Sequence, residues 1–325
     1  MTDMKQIFRS MDKRKILPVF VWGLIWLCQP VLAQQYIADH TVAREDVLRS
    51  IPREYIDKAR TELVVAYQHT SHGTHVSRGM YGLPDYKKGD KQLFGVSKTS
   101  ERGKLDFRSK ALLDFAPEGV DGRDLSKAGK GFVQTTRNYL DAPENASVNV
   151  LMWSWCNISN HNVKGVYLDG MSTLISEYGE GGSKIGTGKG QRKVPVTFIF
   201  MTGHANKNYN VGPGRARDQA AIINQYCEDK AQFCLDYYSI DTHAMDGTYY
   251  DDAGEDGNSE TYGGNFYMDW ENAHTLGEDY YENRFGPGTR GIWGSHTTQH
   301  ITSNRKAYAM WWILARIAGW DGTPE

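Results

Sequence analysis

Glu62–Gln68 reads Glu-Leu-Val-Val-Ala-Tyr-Gln, and it runs straight into His69-Thr70-Ser71-His72-Gly73. The first segment is apolar and β-branched, the pattern of a buried strand. The second is polar and chemically able. The same junction recurs along the chain. Ser147–Trp153 (SVNVLMW) gives way to Ser154-Trp155-Cys156-Asn157. Val194–Met201 ends in Thr202-Gly203-His204, and Phe233–Ile240 (FCLDYYSI) ends in Asp241-Thr242-His243. All four apolar runs are expected to be strands.

Helical spacing falls between them, over Phe132–Leu140 and Ala216–Tyr226. A last helix is expected from about Ser303 to Ala318, capped by Ser303 or Asn304. Ala307, Met310, Trp311, Leu314, Ile317 and Ala318 would form its one apolar face. Strands alternating with helices predict a three-layer α/β/α fold with a mainly parallel central sheet. In such a sheet, ligands and chemistry gather at the carboxyl ends of the strands. Residues 34–60 read as a polar wrap, 78–118 as loop, Gly179–Gly190 as a flexible connection and about 244–294 as a long ordered excursion.

The N-terminus carries Lys5, Arg9, Lys13, Arg14 and Lys15, then an apolar run over Ile16–Cys28, then Val31-Leu32-Ala33. This is the pattern of a cleavable export signal over residues 1–33, too short to span a bilayer, with an uncleaved anchor as the alternative. A single domain over 34–325, secreted or periplasmic and free of the membrane, is the expectation. Its net charge would be about −5. With no basic stripe or nucleic-acid motif, nothing points to a nucleic-acid partner. An exported chain can form disulfides, so Cys227 and Cys234 are either a short bridge or two buried thiols.

Nucleophilic catalysis needs a hydroxyl, a base and donors for an oxyanion. Ser71 is the candidate nucleophile, with Gly73 relaxing its turn; otherwise it caps the next helix. His296 and His300, just before the last helix, are the candidate bases. Asn157, the Ser71 N–H and a Gly131 or Gly129 N–H are candidate oxyanion donors. Cys156, between Trp155 and Asn157, reads better as packing than as a thiolate nucleophile.

Ser71, Gly131, Asn157 and His300 (or His296), in that order, resemble the SGNH (GDSL-like) hydrolase superfamily, whose fold is flavodoxin-like. The family's Gly-Asp-Ser-Leu block is replaced by His69-Thr70-Ser71-His72, and its Asp three residues before the His would fall at Thr297. Asp241 could supply the acid, or a Ser–His dyad could suffice. A closer likeness is to secreted bacterial and archaeal SGNH-like proteins. It rests on Tyr67–Ser71, Met152–Cys156, Phe200–His204, Ala307–Trp312 and Ala315–Trp320. That likeness implies His296 as base and His69, Ser154, Cys156 and His204 as site members.

The resemblance implies a carbohydrate esterase acting on a polysaccharide or oligosaccharide, with no cofactor. The Trp and Tyr of 248–281 and 293–312 suit sugar rings, or else are simply core. A non-catalytic glycan-binding protein on the same fold is the alternative. A further one is a metal-dependent lyase or phosphoester hydrolase using His69, His72, His75, His204 or Asp241. Asp251, Asp252, Glu255 and Asp256 could hold a structural Ca²⁺, but lack the EF-hand spacing and read better as a solvated loop.

Overall fold

A computed structural model describes residues 36–323. The basic and apolar leader read over residues 1–33 lies outside them. Seven parallel strands make the central sheet: β1 (Ile37–Ala38), β2 (Val64–Gln68), β3 (Val96–Ser97), β4 (Leu105–Ser109), β5 (Val150–Trp153), β6 (Thr197–Met201) and β7 (Cys234–Leu235). Their order is β1-β7-β6-β5-β2-β4-β3. The central pair has Tyr67 beside Met152 and Gln68 beside Trp153, so the polar segments after β2 and β5 emerge side by side.

Ten α-helices accompany the sheet among the described residues: α1 (Glu45–Arg49), α2 (Arg53–Glu62), α3 (Thr74–Gly82), α4 (Asp90–Leu93), α5 (Gly131–Asp141), α6 (Asp169–Tyr178), α7 (Ala216–Asp229), α8 (Tyr237–Thr242), α9 (Phe266–Asn272) and α10 (Ile301–Ile317). α10 packs on α3, α2 and α1, while α5 packs on α6 and α7 lies against β6, β7 and β1. This is the three-layer α/β arrangement expected from the alternating pattern. No helix among the described residues is long and apolar enough to cross a membrane.

Several readings are corrected. Residues 36–60 do reach the edge of the sheet, where β1 lies, but as regular structure: they hold β1, α1 and most of α2. The loop expected over 78–118 contains β3 and β4, and β4 pairs directly with β2. Its strand pattern is disguised because Asp106 and Arg108 alternate with Leu105 and Phe107. Their charges meet, with Arg108 Nη2 donating to Asp106 Oδ2 at 3.0 Å, which lets Asp106 stay buried.

The run expected as one strand over Phe233–Ile240 keeps only Cys234–Leu235 as β7. Asp236 ends it, accepting hydrogen bonds from the Ser239 N–H (3.1 Å) and the Thr202 hydroxyl (2.9 Å). That N-cap starts α8. Cys227 and Cys234 are both buried free thiols, so the bridge is not formed.

The last helix begins at Ile301, two residues before the expected cap. Its cap comes from the excursion, where Glu271 Oε1 accepts from the N–H groups of His300 (2.6 Å) and Ile301 (2.8 Å). A carboxylate at a helix N-terminus satisfies orphan donors and opposes the helix dipole. Nor does α10 bury a single face: every residue from Ile301 to Arg316 is buried. The excursion covers its polar side. Asn304 exchanges hydrogen bonds with the Tyr281 backbone at 2.9 and 3.1 Å. Arg305 Nη1 donates to the carbonyls of Ile240 and His243 and to the Tyr267 hydroxyl.

Candidate functional site

Ser71 follows β2 by three residues and sits in a 3₁₀ turn that leads directly into α3. Gly73 makes the turn possible. A Cβ there would lie 1.9 Å from Ser154 Oγ and 2.9 Å from His69 Cβ, so only glycine lets the turn lie on the end of β5. The Tyr67 hydroxyl donates to the Gly73 carbonyl at 2.7 Å, and the Tyr237 hydroxyl to the His72 carbonyl at 2.6 Å.

His296 reaches this turn from the other end of the chain. Its Nε2 hydrogen-bonds the Ser71 hydroxyl across a separation of 225 residues. Helix α3 holds both partners. The His75 ring nitrogen Nε2 donates to the Ser295 carbonyl at 2.5 Å, and Arg78 Nη1 donates to the Trp293 carbonyl at 2.8 Å. α3 can do this because it lies hard against α10, into which the His296 segment leads. A Cβ on Gly79 would meet the Ser303 carbonyl oxygen at 2.1 Å. His75 is buried and held well below the usual imidazole range, chiefly by burial, so it serves as a neutral donor.

Behind His296 stand two more imidazoles. His72 stacks on His296 with centroids 4.3 Å apart, and on His204 at 3.6 Å. His72 Nδ1 is 2.5 Å from Glu255 Oε1. Burial pushes the Glu255 carboxyl up to about 8 and His72 down to about 4, disfavouring the charged form of each. Glu255 was read as part of a solvated acidic loop; it is buried at 5% exposure. Asp252 and Asp256 instead bond Ser259, Thr261 and Asn258 within their own turns, and the four acids do not form a Ca²⁺ cage.

The other candidates fall in different places. His300 does not face Ser71: its Nδ1 accepts from the Asn283 N–H at 3.2 Å, beside the start of α10. Asp241 is not the acid behind the base. It is fully buried on α8 and paired with Lys306 Nζ at 2.5 Å, its other oxygen accepting from the Ala205 N–H at 3.1 Å. No carboxylate hydrogen-bonds His296 among the described residues; its ring bonds Ser71. The geometry is that of a dyad, with His72 standing between His296 and Glu255.

Gly131 does not offer an oxyanion donor, because its N–H is spent on the Ala128 carbonyl at 2.8 Å. Asn157 is an exposed turn residue whose Oδ1 accepts from the Ser159 N–H at 2.9 Å. Ser154 does lie beside the turn: its hydroxyl is buried, without a hydrogen-bond partner, against Gly73. His69 is buried beneath Gly73 and bonded through Nε2 to Ser109 Oγ at 2.7 Å, a support beneath the turn. His204 lies in the cluster, with Nδ1 donating to the Ala205 carbonyl at 2.7 Å. Burial and the Asp124 charge push the Cys156 thiol up, away from the thiolate a nucleophile would need. Sequence reasoning gave Glu255 no part in the site, since nothing local distinguishes it from its acidic neighbours.

No protein family, curated protein or solved structure shows a significant match to this chain.

Proposed function

We propose that this chain is an SGNH-type serine hydrolase that cleaves esters, with Ser71 as nucleophile and His296 as general base. The observation that carries the reading is the Ser71 Oγ–His296 Nε2 hydrogen bond at the carboxyl edge of a parallel sheet. In that pair the hydroxyl proton passes to Nε2 as Oγ attacks the acyl carbon. The imidazolium then gives its proton to the departing alkoxide. Water, deprotonated by the same nitrogen, releases the acid from the acyl-serine. The Ser71 N–H and the unpartnered Ser154 hydroxyl are the donors at hand for the oxyanion.

The substrate class we favour is an acylated polysaccharide or oligosaccharide met outside the cytoplasm. Support comes from Trp293, three residues before His296, whose side chain is 58% exposed. A large apolar ring left in water three residues from the candidate base suits the face of a sugar. That no carboxylate among the described residues bonds His296 favours a second reading, a glycan-binding protein on the same scaffold. Incubation with a fluorophosphonate, followed by peptide mass spectrometry, separates them. A hydrolase gives a phosphonylated Ser71 that is lost in His296→Ala, together with turnover of an aryl acetate that is lost in Ser71→Ala. Oligosaccharide binding with no labelling and no acyl release would establish the second reading and end the first.

A further inference from the structure

We propose that His72, His204 and Glu255 form a binding site for a divalent transition-metal ion of the zinc class. The three residues arrive from separate parts of the fold: the turn after β2, the segment after β6 and the excursion after α8. Each offers a ligand atom, and these atoms all lie within 4.8 Å of one another.

Two imidazoles and one carboxylate are a borderline-soft donor set. It suits Zn²⁺ and its transition-metal neighbours, and it leaves positions open for water or substrate. Ca²⁺ and Mg²⁺ prefer all-oxygen surroundings.

The second observation is a buried oxygen without a partner. Glu255 is 5% exposed, and its Oε2 has no hydrogen-bond partner. A buried carboxyl normally finds a cation or donors. The nearby ammonium of Lys306 is already committed to Asp241 at 2.5 Å. His204 is oriented as metal-binding imidazoles commonly are. Its Nδ1–H donates to the Ala205 carbonyl at 2.7 Å, which fixes the tautomer and leaves the Nε2 lone pair free.

The space is nearly made. Ligand atoms around an ion with bonds of about 2.1 Å stand roughly 3.4 Å apart. His72 Nδ1 and Glu255 Oε1 are 2.5 Å apart and hydrogen-bonded. They need part by only about 1 Å, with a modest turn of the stacked His72 and His204 rings. The site adjoins the Ser71–His296 pair through the His72–His296 stack but does not depend on that pair being catalytic.

The test is metal binding measured on its own. The full chain is stripped with a chelator, dialysed and titrated with Zn²⁺ by calorimetry, and with Co²⁺ by visible absorption. The expected result is one equivalent bound, with a Co²⁺ spectrum of nitrogen and oxygen ligation. His204→Ala and Glu255→Gln should weaken binding by about 100-fold or more. Ser71→Ala should bind as the wild type does. Should a ligand variant fail to fold, the wild-type melting temperature with and without Zn²⁺ gives a second measurement, since an ion bound only by the native state must raise it. No uptake of Zn²⁺ or Co²⁺ by the stripped wild type would overturn the site. So would a melting temperature unmoved by Zn²⁺, or folded ligand variants that bind as tightly as the wild type. Loss of esterase activity does not enter these measurements, so failure of the metal site and failure of the hydrolase reading stay distinct.

Discussion

Ser71 and His296, hydrogen-bonded to each other, both hold a left-handed backbone, with φ of 39° and 62°. For a residue with a Cβ this conformation costs about 1–2 kcal/mol. Such strain persists only where the surroundings impose it, and it gathers at functional sites. Here the surroundings are visible. The Thr74 hydroxyl bonds the Ser71 carbonyl at 2.6 Å, and His75 and Arg78 grip the carbonyls of Ser295 and Trp293.

The strain makes a stability ordering testable at Ser71. Both Ser71→Gly and Ser71→Ala should lack esterase activity, falling by about 10³-fold or more. Glycine escapes the left-handed penalty and alanine does not, so Ser71→Gly should be more stable than Ser71→Ala by about 1 kcal/mol in urea denaturation. At an ordinary helical position the order would be reversed. Alanine proving the more stable of the two would show that the turn is not strained.

How the sequence announced this arrangement, and where it fell silent, has a physical pattern. Strands β2, β5 and β6 are mainly apolar runs buried along almost their whole length, and they are legible because burial on both faces selects apolar side chains. β4 was hidden because Asp106 and Arg108 neutralise each other inside it. The cap of α10 was hidden because Glu271, 30 residues before Ile301, supplies it. Ser71 and His296 could be nominated from strand ends and from the segment before the last helix. That His296 rather than His300 faces Ser71 depends on α3 gripping Ser295, a tertiary fact. Glu255 was illegible for the same reason: only folding carries it out of its acidic run and under His72.

The close approach of α3 and α10 should be intolerant of one methyl group. At Gly79 a Cβ would meet the backbone carbonyl of Ser303 at 2.1 Å and Ala307 Cβ at 2.9 Å. Backbone on a buried helix cannot rotate aside, so the helices must separate. Gly79→Ala should cost about 1–3 kcal/mol, as overpacking does. It should also lower aryl acetate turnover more than the loss of folded protein explains, because it moves His296 away from Ser71. A variant with wild-type stability and wild-type turnover would show that the contact does not position the pair.

Under the site, Asp241 and Lys306 are both fully buried and paired at 2.5 Å. Removing one partner strands the other charge in the core. Lys306→Met should therefore cost about 3–5 kcal/mol, whereas the double change Asp241→Leu with Lys306→Met should recover much of the loss. Urea unfolding followed by tryptophan fluorescence would measure both. A double variant as unstable as the single one would mean that the pair contributes packing rather than charge balance.

His69 gives the fold a defined response to acid. Burial holds its ring down at about 3, whereas an unfolded histidine titrates near 6.5. Above that value neither state binds the proton. As pH falls through 6.5 the unfolded chain takes it up and the folded chain refuses it, so stability declines until about pH 3. The slope from this one group is at most about 1.4 kcal/mol per pH unit. His69→Gln, which retains a side-chain partner for Ser109, should remove that slope. Between pH 7.5 and 5.0 the wild type should lose about 2 kcal/mol more than the variant. Parallel stability curves for the two proteins would place the acid sensitivity elsewhere.

Trp293 separates the substrate class from the chemistry. Its backbone carbonyl is held by Arg78 while its ring is 58% exposed, so the loop can keep its shape when the ring is removed. If the ring is a platform for a sugar, Trp293→Ala should raise KM for an acetylated oligosaccharide by about tenfold, the equivalent of 1.4 kcal/mol of lost contact. Turnover of a small aryl acetate, which touches only the reacting groups, should stay within about twofold, because the lost contact is binding energy remote from the reacting bond. Equal losses on both substrates would mean that the ring supports the His296 loop. No loss on either would remove the support for a glycan substrate while leaving the Ser71–His296 pair to be judged on its own labelling.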